Sequence, residues 1–284
     1  MRLLILGAGG MAGHVIGLYF QEKGYDVTAL SRRSLPFFKT NLIGDVTEID
    51  FLTKLLRDNY DVVINCIGIL NKDAEDRKSD AVFLNSYLPH FIADHISNSK
   101  TKLIHMGTDC VFAGNTGPYT EGSLKDGRTF YDRTKALGEI ECDKNLTFRN
   151  SIIGPDINQD GIGLFHWFMS QANSVTGFSG AIWTGVTTTT LAKAIEKAIE
   201  VDLSGLYNLV NNSSISKYDL LHLFNKHFKS NSIEIKFDNS TKMDKTLICT
   251  RSDFSFIVPS YEQMILEMKE WVLKHSDIYR YTIK

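Results

Sequence analysis

Short apolar runs alternate with longer mixed stretches through the first half of the chain. Residues 2–6, 26–30, 61–67, 102–106 and 146–149 are each apolar and bounded by Gly, Asn, Asp or Ser, the pattern of strands buried on both faces. Between them, 12–23, 51–59, 81–97 and 131–142 have the mixed composition and length of helices. Strand and helix in alternation predict an α/β fold, a Rossmann-type doubly wound parallel sheet with helices on both faces. After about residue 153 the pattern loosens. A loop enters an aromatic helix over 161–173, helices are expected over 190–201, 217–228 and 261–275, and an added strand over 233–237. This predicts a main domain over 1–155 and a smaller C-terminal α/β cap over 156–284. A segment near 184–212, best placed at 205–210, is expected to return to the main sheet. No repeat and no Pro/Ser-rich linker separates the halves, so they should pack closely.

Composition narrows the function classes. The chain has 284 residues, a formal net charge of -2 and 43% hydrophobic residues, an ordinary globular balance. Near-neutral charge without a basic run argues against nucleic acid as a partner. No run approaches the roughly 18 apolar residues of a membrane span. Met1 leads through Arg2 and a brief apolar run straight into glycines, too short for a secretory signal, so the expected compartment is the cytoplasm. Cys66, Cys110, Cys142 and Cys249 are scattered with no C-x-x-C pair, which favours reduced thiols over a disulfide frame.

The first chemical signal is the run Gly7, Ala8, Gly9, Gly10, Met11, Ala12, Gly13 between the first strand and the first helix. Gly7, Gly10 and Gly13 fit G-x-x-G-x-x-G. A turn free of side chains lets backbone N–H groups approach a pyrophosphate, and the helix N-terminus adds partial positive charge. Gly7, Gly9, Gly10, Met11 and Gly13 are therefore candidate dinucleotide contacts, which makes 1–155 a candidate dinucleotide-binding domain. The second strand ends in Ser31, Arg32 and Arg33, where a carboxylate would select the 2′-hydroxyl of NAD. Two guanidinium groups and a hydroxyl suit a 2′-phosphate, so NADPH is expected, with NADH left open. Asp45 and Val46, after the third strand, are candidates to flank the adenine. Cys66, Ile67 and Gly68, which follow Asn65 at the fourth strand, are candidates for the ribose and nicotinamide side.

Tyr131 and Lys135 stand at i and i+4, on one helix face. A lysine cation favours a neighbouring phenolate, so the expectation is that Lys135 lowers the Tyr131 pKa and lets the phenol exchange a proton with a carbonyl oxygen. Thr108 and Asp109 lie just past the fifth strand, at the edge where parallel sheets bind ligands. There the Thr108 hydroxyl can hold a substrate carbonyl for hydride transfer. His222 and His227 are five apart, off the i, i+4 spacing of a helical zinc pair, and no metal is expected. The residues around His166 form an apolar helix face.

The segments Gly107-Thr108-Asp109-Cys110-Val111-Phe112-Ala113-Gly114, Gly117-Pro118-Tyr119-Thr120-Glu121 and the run from Tyr131 to Glu139, with Arg149-Asn150-Ser151, resemble the extended short-chain dehydrogenase/reductase family. More narrowly they resemble its dTDP-4-dehydrorhamnose reductase branch. The resemblance is close over 1–155 and loose beyond. It departs at Gly107, where the branch has Ser, at Cys110, where it has Tyr, and at Asn150, where it has Thr. It implies reduction of the C4 carbonyl of a nucleotide-linked 4-keto-6-deoxyhexose by NAD(P)H, for cell-surface polysaccharide precursors. Thr108 and Tyr131 would meet the carbonyl, and Lys135 the nicotinamide ribose. It also implies a nucleotide-sugar partner bound by the cap and leaves a homodimer open. A UDP-linked N-acetylated sugar fits as well as a dTDP-linked one. Thr108 and Asp109 are substrate candidates, and with them Trp183, as a stacking platform, and Arg251, on a diphosphate, these last two equally readable as packing or surface. Two alternatives stand beside the reductase. One is an epimerase or dehydratase retaining NAD, against which Arg32 and Arg33 count. The other is a non-catalytic NADP-binding regulatory subunit, which need not keep the whole Thr108, Tyr131, Lys135 set.

Overall fold

In the computed structural model, which describes residues 1–284, the apolar runs become strands β1 (Arg2–Leu6), β2 (Asp26–Ser31), β3 (Thr40–Ile43), β4 (Val62–Asn65), β5 (Lys102–Met106) and β6 (Leu146–Arg149). Helices α1 (Met11–Glu22), α2 (Ile49–Leu56), α3 (Asn71–Asp76), α4 (Lys78–Ala81), α5 (Leu88–His95) and α6 (Phe130–Leu137) join them. The remainder comprises β7 (Ser151–Ile153), α7 (Leu164–Met169), β8 (Ser174–Phe178), β9 (Ala181–Trp183), β10 (Gly185–Thr187), α8 (Thr188–Glu200) and β11 (Gly205–Asn208). It continues with β12 (Ile215–Ser216), α9 (Lys217–Phe228), β13 (Glu234–Asp238), β14 (Met243–Asp244) and α10 (Tyr261–Lys274).

The main sheet is a seven-stranded Rossmann-type sheet in the order β11-β6-β5-β4-β1-β2-β3, parallel throughout. The returning strand is β11, which pairs with β6 from Gly205 against Leu146 to Asn208 against Arg149. Strand alternation splits the core. Leu3 and Ile5 face the layer of Val15, Ile16 and Ala194, while Leu4 and Leu6 face Leu52, Leu88 and Ile92. Strand order reverses between β1 and β4, which opens a crevice at the carboxyl ends of those strands.

Three expected elements are shorter than the sequence pattern predicts or are interrupted. The strand at 61–67 stops at Asn65, whose side-chain oxygen accepts from the Ile67 N–H at 3.1 Å and turns the chain. The helix at 81–97 is interrupted by a π-helical stretch over Val82–Tyr87. The helix at 131–142 ends at Leu137, where Gly138 lies so close to the Asn85 carbonyl that a Cβ would overlap it at 1.8 Å. Beyond Ile153 the strands form three small sheets, β10-β7, β12-β9-β14 and β13-β8. Phe165, Phe168, Trp183 and Phe224 share one core cluster with Ile5 and Val15, so the apolar interior runs unbroken between the halves. All four cysteines are unpaired. No helix is long and apolar enough to cross a membrane.

Candidate active site at the carboxyl edge of the sheet

The glycine turn is built for close approach. Gly7 has φ +80, and a Cβ there would meet Ile67 Cγ1 at 2.9 Å. At Gly13 a Cβ would lie 2.2 Å from the Gly7 carbonyl oxygen, so only glycine lets α1 start against β1. The Gly10 N–H closes the turn on Gly7 O at 3.0 Å. A Cβ at Gly9 would stand 3.7 Å from the Ser31 side chain, and the Cys66 N–H bonds Leu6 O at 3.0 Å. Gly7, Gly9, Ser31, Cys66 and Ile67 thus share one floor, with Met11 opening the helix above it. This cradle, narrow wherever a side chain would fill it, fits a dinucleotide pyrophosphate.

Arg32 and Arg33 are exposed at the end of β2. Arg33 is not a loose side chain, because its Nη2 donates to Asn158 Oδ1 at 2.6 Å. Asp45 accepts from the Thr47 N–H at 2.9 Å and the Thr47 hydroxyl at 2.8 Å. The Thr47 N–H, aided by the hydroxyl and Arg32, holds its carboxyl below the usual range. Val46 belongs to the core with Leu30 and Leu52, so its side chain packs inward and leaves its backbone and the half-buried Asp45 to flank an adenine.

Thr108, Tyr131 and Lys135 come from two elements and are buried together. Thr108 ends the extended segment after β5 and caps a short turn, accepting from the Cys110 N–H at 3.2 Å. Gly107 lies hard against β6, with its N–H on Phe148 O at 2.7 Å and 3.2 Å between a would-be Cβ and the Arg149 backbone. A side chain there would need β6 to give by a few tenths of an ångström. Helix α6 starts at a capping box between Thr129 and Asp132, which sets the phase that turns Tyr131 and Lys135 inward. Behind them Asn85, on the π-helical stretch, exchanges two hydrogen bonds of 2.9 Å with the Ile69 backbone and donates to Thr134 Oγ1 at 3.2 Å. It ties the end of β4 to α6.

The electrostatics differ from expectation. Burial pushes the Tyr131 phenol upward, the Cys110, Asp109 and Asp132 charges add to this, and a hydrogen bond from Thr108 opposes it. Lys135 does not reverse the shift. Its Nζ donates to the Met106 carbonyl at 2.7 Å, and burial lowers the lysine to about 8 against the pull of Glu139 and Cys66. In this enclosed site the same desolvation disfavours phenolate and ammonium alike, so the phenol stays neutral at neutral pH. Cys66 and Cys110 are each pushed up to about 12 by burial. Asp109 is raised by burial as well, against Lys245 and the Thr108 hydroxyl.

Of the substrate candidates, Thr108 and Asp109 lie at this site, and Trp183 and Arg251 lie elsewhere. Trp183 is a core residue, its ring 5.7 Å from Tyr261 and pressed on Gly185, so neither face is open for stacking. Arg251 donates through Nη1 to Ser204 O at 2.6 Å and Leu206 O at 3.0 Å, and grips Asp253 through Nε and Nη2. Its fork is spent on β11 and cannot also clamp a diphosphate. His222 packs on Tyr218 and His227 faces Glu262. No group of three or more His, Cys, Asp or Glu residues is placed to hold a metal. Two asparagines escaped the sequence reading, Asn85 and Asn158, while Asn150, read there only as a departure from the branch, has a buried amide nitrogen that no protein group accepts from. None sits in a recognisable spacing, and only the π-helical stretch, had it been legible, pointed to one.

The sequence profile of the RmlD substrate binding domain family matches residues 1–255. The chain is 26% identical over 233 residues to the "Probable low-salt glycan biosynthesis reductase Agl14" of Haloferax volcanii, covering 77% of each chain. It is 34% identical over 141 residues to the dTDP-4-dehydrorhamnose reductase of Mycolicibacterium smegmatis, a match over 49% of this chain and 40% of that one. Likeness to that reductase therefore spans less than half of the relative's length. Among solved structures, a Bacillus anthracis dTDP-4-dehydrorhamnose reductase in complex with NADP superposes with a TM-score of 0.77 at 18% identity, over 94% of this chain and 98% of the other. The chain belongs to the RmlD substrate binding domain family.

Proposed function

We propose that this member of the RmlD substrate binding domain family is an NADPH-dependent reductase of the C4 carbonyl of a nucleotide-linked 4-keto-6-deoxyhexose. The observation that carries the reading is the convergence of Thr108, Tyr131 and Lys135, buried side by side at the carboxyl edge of the sheet that bears the glycine turn. The names of the Haloferax and Mycolicibacterium relatives and the NADP in the Bacillus structure support it.

The glycine turn would hold the dinucleotide, with Arg32 and Arg33 available to its 2′-phosphate, and when bound the dinucleotide would supply a hydride. Thr108 hydrogen-bonds the carbonyl oxygen and fixes its direction. Tyr131, kept neutral by burial, gives its proton to that oxygen, so the carbonyl becomes an alcohol and the phenol a phenolate. Lys135, protonated below about pH 8, offsets that charge until solvent restores the proton.

Residues 1–155 serve the dinucleotide and 156–284 mainly the substrate, in a cytoplasmic step toward surface polysaccharide. Val82, Tyr87 and Leu137 are exposed on neighbouring helical segments and supply the apolar face of a homodimer. The test is NADPH oxidation with dTDP-, UDP- and GDP-linked 4-keto-6-deoxyhexoses. Consumption with at least one is expected. Tightly bound NAD⁺ on the purified protein, with no NADPH consumed, would favour the epimerase alternative. Undiminished activity in Tyr131→Phe would remove the mechanism.

A further inference from the structure

The exposed Arg33 is held by a residue 125 positions away in the chain. Asn158 Oδ1 accepts from Arg33 Nη2 at 2.6 Å, while its Nδ2 donates to the Gly9 carbonyl at 3.0 Å and to Asp156 Oδ1 at 2.8 Å. One amide therefore touches both the glycine turn and the arginine beside it. The segment bearing Asn158 is fixed in turn. The Asp156 N–H donates to the Tyr281 hydroxyl at 2.7 Å, and that hydroxyl lies 2.8 Å from His166 Nδ1. Further along, a Cβ at Gly163 would meet Met11 Sδ at 3.0 Å, so this stretch lies directly on the start of α1.

We infer that Asn158 is a positioning residue which sets the preference for a 2′-phosphorylated dinucleotide by orienting Arg33, and that Tyr281 holds the segment in place. The inference rests on the reading of the glycine turn as a dinucleotide site. Its physical basis is the neutrality of the amide. An arginine left free at the surface spreads over many rotamers, and ordering it on a phosphate costs entropy. A carboxylate would order it but cancel its charge. An amide oxygen orders it through one of its five N–H groups and leaves the cation and the remaining donors for the phosphate. The bond to the Gly9 carbonyl puts this arginine in register with the turn that receives the pyrophosphate.

The experiment titrates NADPH and NADH separately, by nicotinamide fluorescence, into the wild type, Arg33→Ala, Asn158→Ala, the double variant and Tyr281→Phe. The readout is the ratio of the two dissociation constants. Arg33→Ala should reduce the preference for NADPH about tenfold or more, and Asn158→Ala about fivefold. The double variant should fall no further than Arg33→Ala, because both act through one guanidinium. Tyr281→Phe, which retains the ring packed 5.3 Å from Phe165, should reduce the preference about twofold and guards against a fold defect in Asn158→Ala. Multiplying effects, an unchanged ratio in both Asn158→Ala and Tyr281→Phe, or tighter NADPH binding on loss of Asn158 would overturn the inference. If the wild type binds neither dinucleotide, the proposed function fails with it. If the wild type binds and only Arg33→Ala changes the ratio, the role of Asn158 alone is refuted.

Discussion

Tyr131 and Trp183 are buried to nearly the same degree, at 8% and 6% exposure, yet one stands at the carboxyl edge of the main sheet and the other inside the small sheets beyond Ile153. The Tyr131 ring packs with Ile69, Ala74 and Ala81, but Thr108, Asp109, Cys110 and Asp132 act on its phenol. Around Trp183 the neighbours are Tyr261 and the Gly185 backbone. The arginines make the same contrast. Arg33 gives one donor to a neutral amide and stays at the surface, whereas Arg251 spends its fork on two carbonyls and Asp253. What separates a working side chain from a packing one here is the company it keeps and the donors it has left. Residue type and burial do not decide it.

The largest test of this contrast is Tyr131→Phe. It should slow NADPH oxidation by about 10²–10⁴, with thermal stability and dinucleotide affinity near the wild type. A rate within a few-fold of wild type would put Tyr131 in the packing class. Next is Trp183→Ala, which should cost about 3–5 kcal/mol in denaturant unfolding and leave the KM for the sugar nucleotide nearly unchanged. A raised KM with intact stability would show that the ring faces substrate.

Acid titration probes the contact between the regions. His14, on α1, bonds the Gly10 carbonyl and the Tyr279 hydroxyl, both at 2.8 Å, and burial pushes it down to about 4. Between about pH 6.5 and 4 the unfolded chain binds the extra proton, so stability falls as pH falls through that window and is unaffected by this group above it. The loss approaches about 3 kcal/mol at the acid end. His14→Gln should flatten that part of the stability profile measured by urea unfolding, and an unaltered slope would contradict the assignment. The smallest effect is expected from Arg251→Ala, about 1–2 kcal/mol of stability with no change in KM.

The same contrast explains what the chain discloses before it folds. Runs such as 2–6 and 102–106 are buried on both faces by a regular sheet, so local composition and structure coincide, and the glycine turn needs its residue types for reasons internal to the turn. Even the return of Gly205–Asn208 to the edge beside β6 is legible in its apolar pattern. Beyond Ile153 the strands are as short as two residues, too brief for period-two alternation to register. Trp183 and Arg251 present ligand-like types there, and only tertiary neighbours reveal that they are committed. Asn158 is the converse case. Its partners Gly9 and Arg33 lie more than a hundred positions away, where no spacing rule reaches. The Tyr131 and Lys135 spacing showed the pair but not its desolvation, which depends on Met106, Cys66 and the π-helical stretch behind it.

The most direct measurement of the central claim follows an isotope. The wild type is incubated with NADPH carrying deuterium at the transferable C4 position and with the 4-keto-6-deoxyhexose nucleotide that it consumes, and the product is read by NMR and mass spectrometry. Deuterium bound at C4 of the sugar in the wild type, and its near absence with Tyr131→Phe, is the result expected. A product without deuterium, or equal labelling in the two proteins, would contradict it.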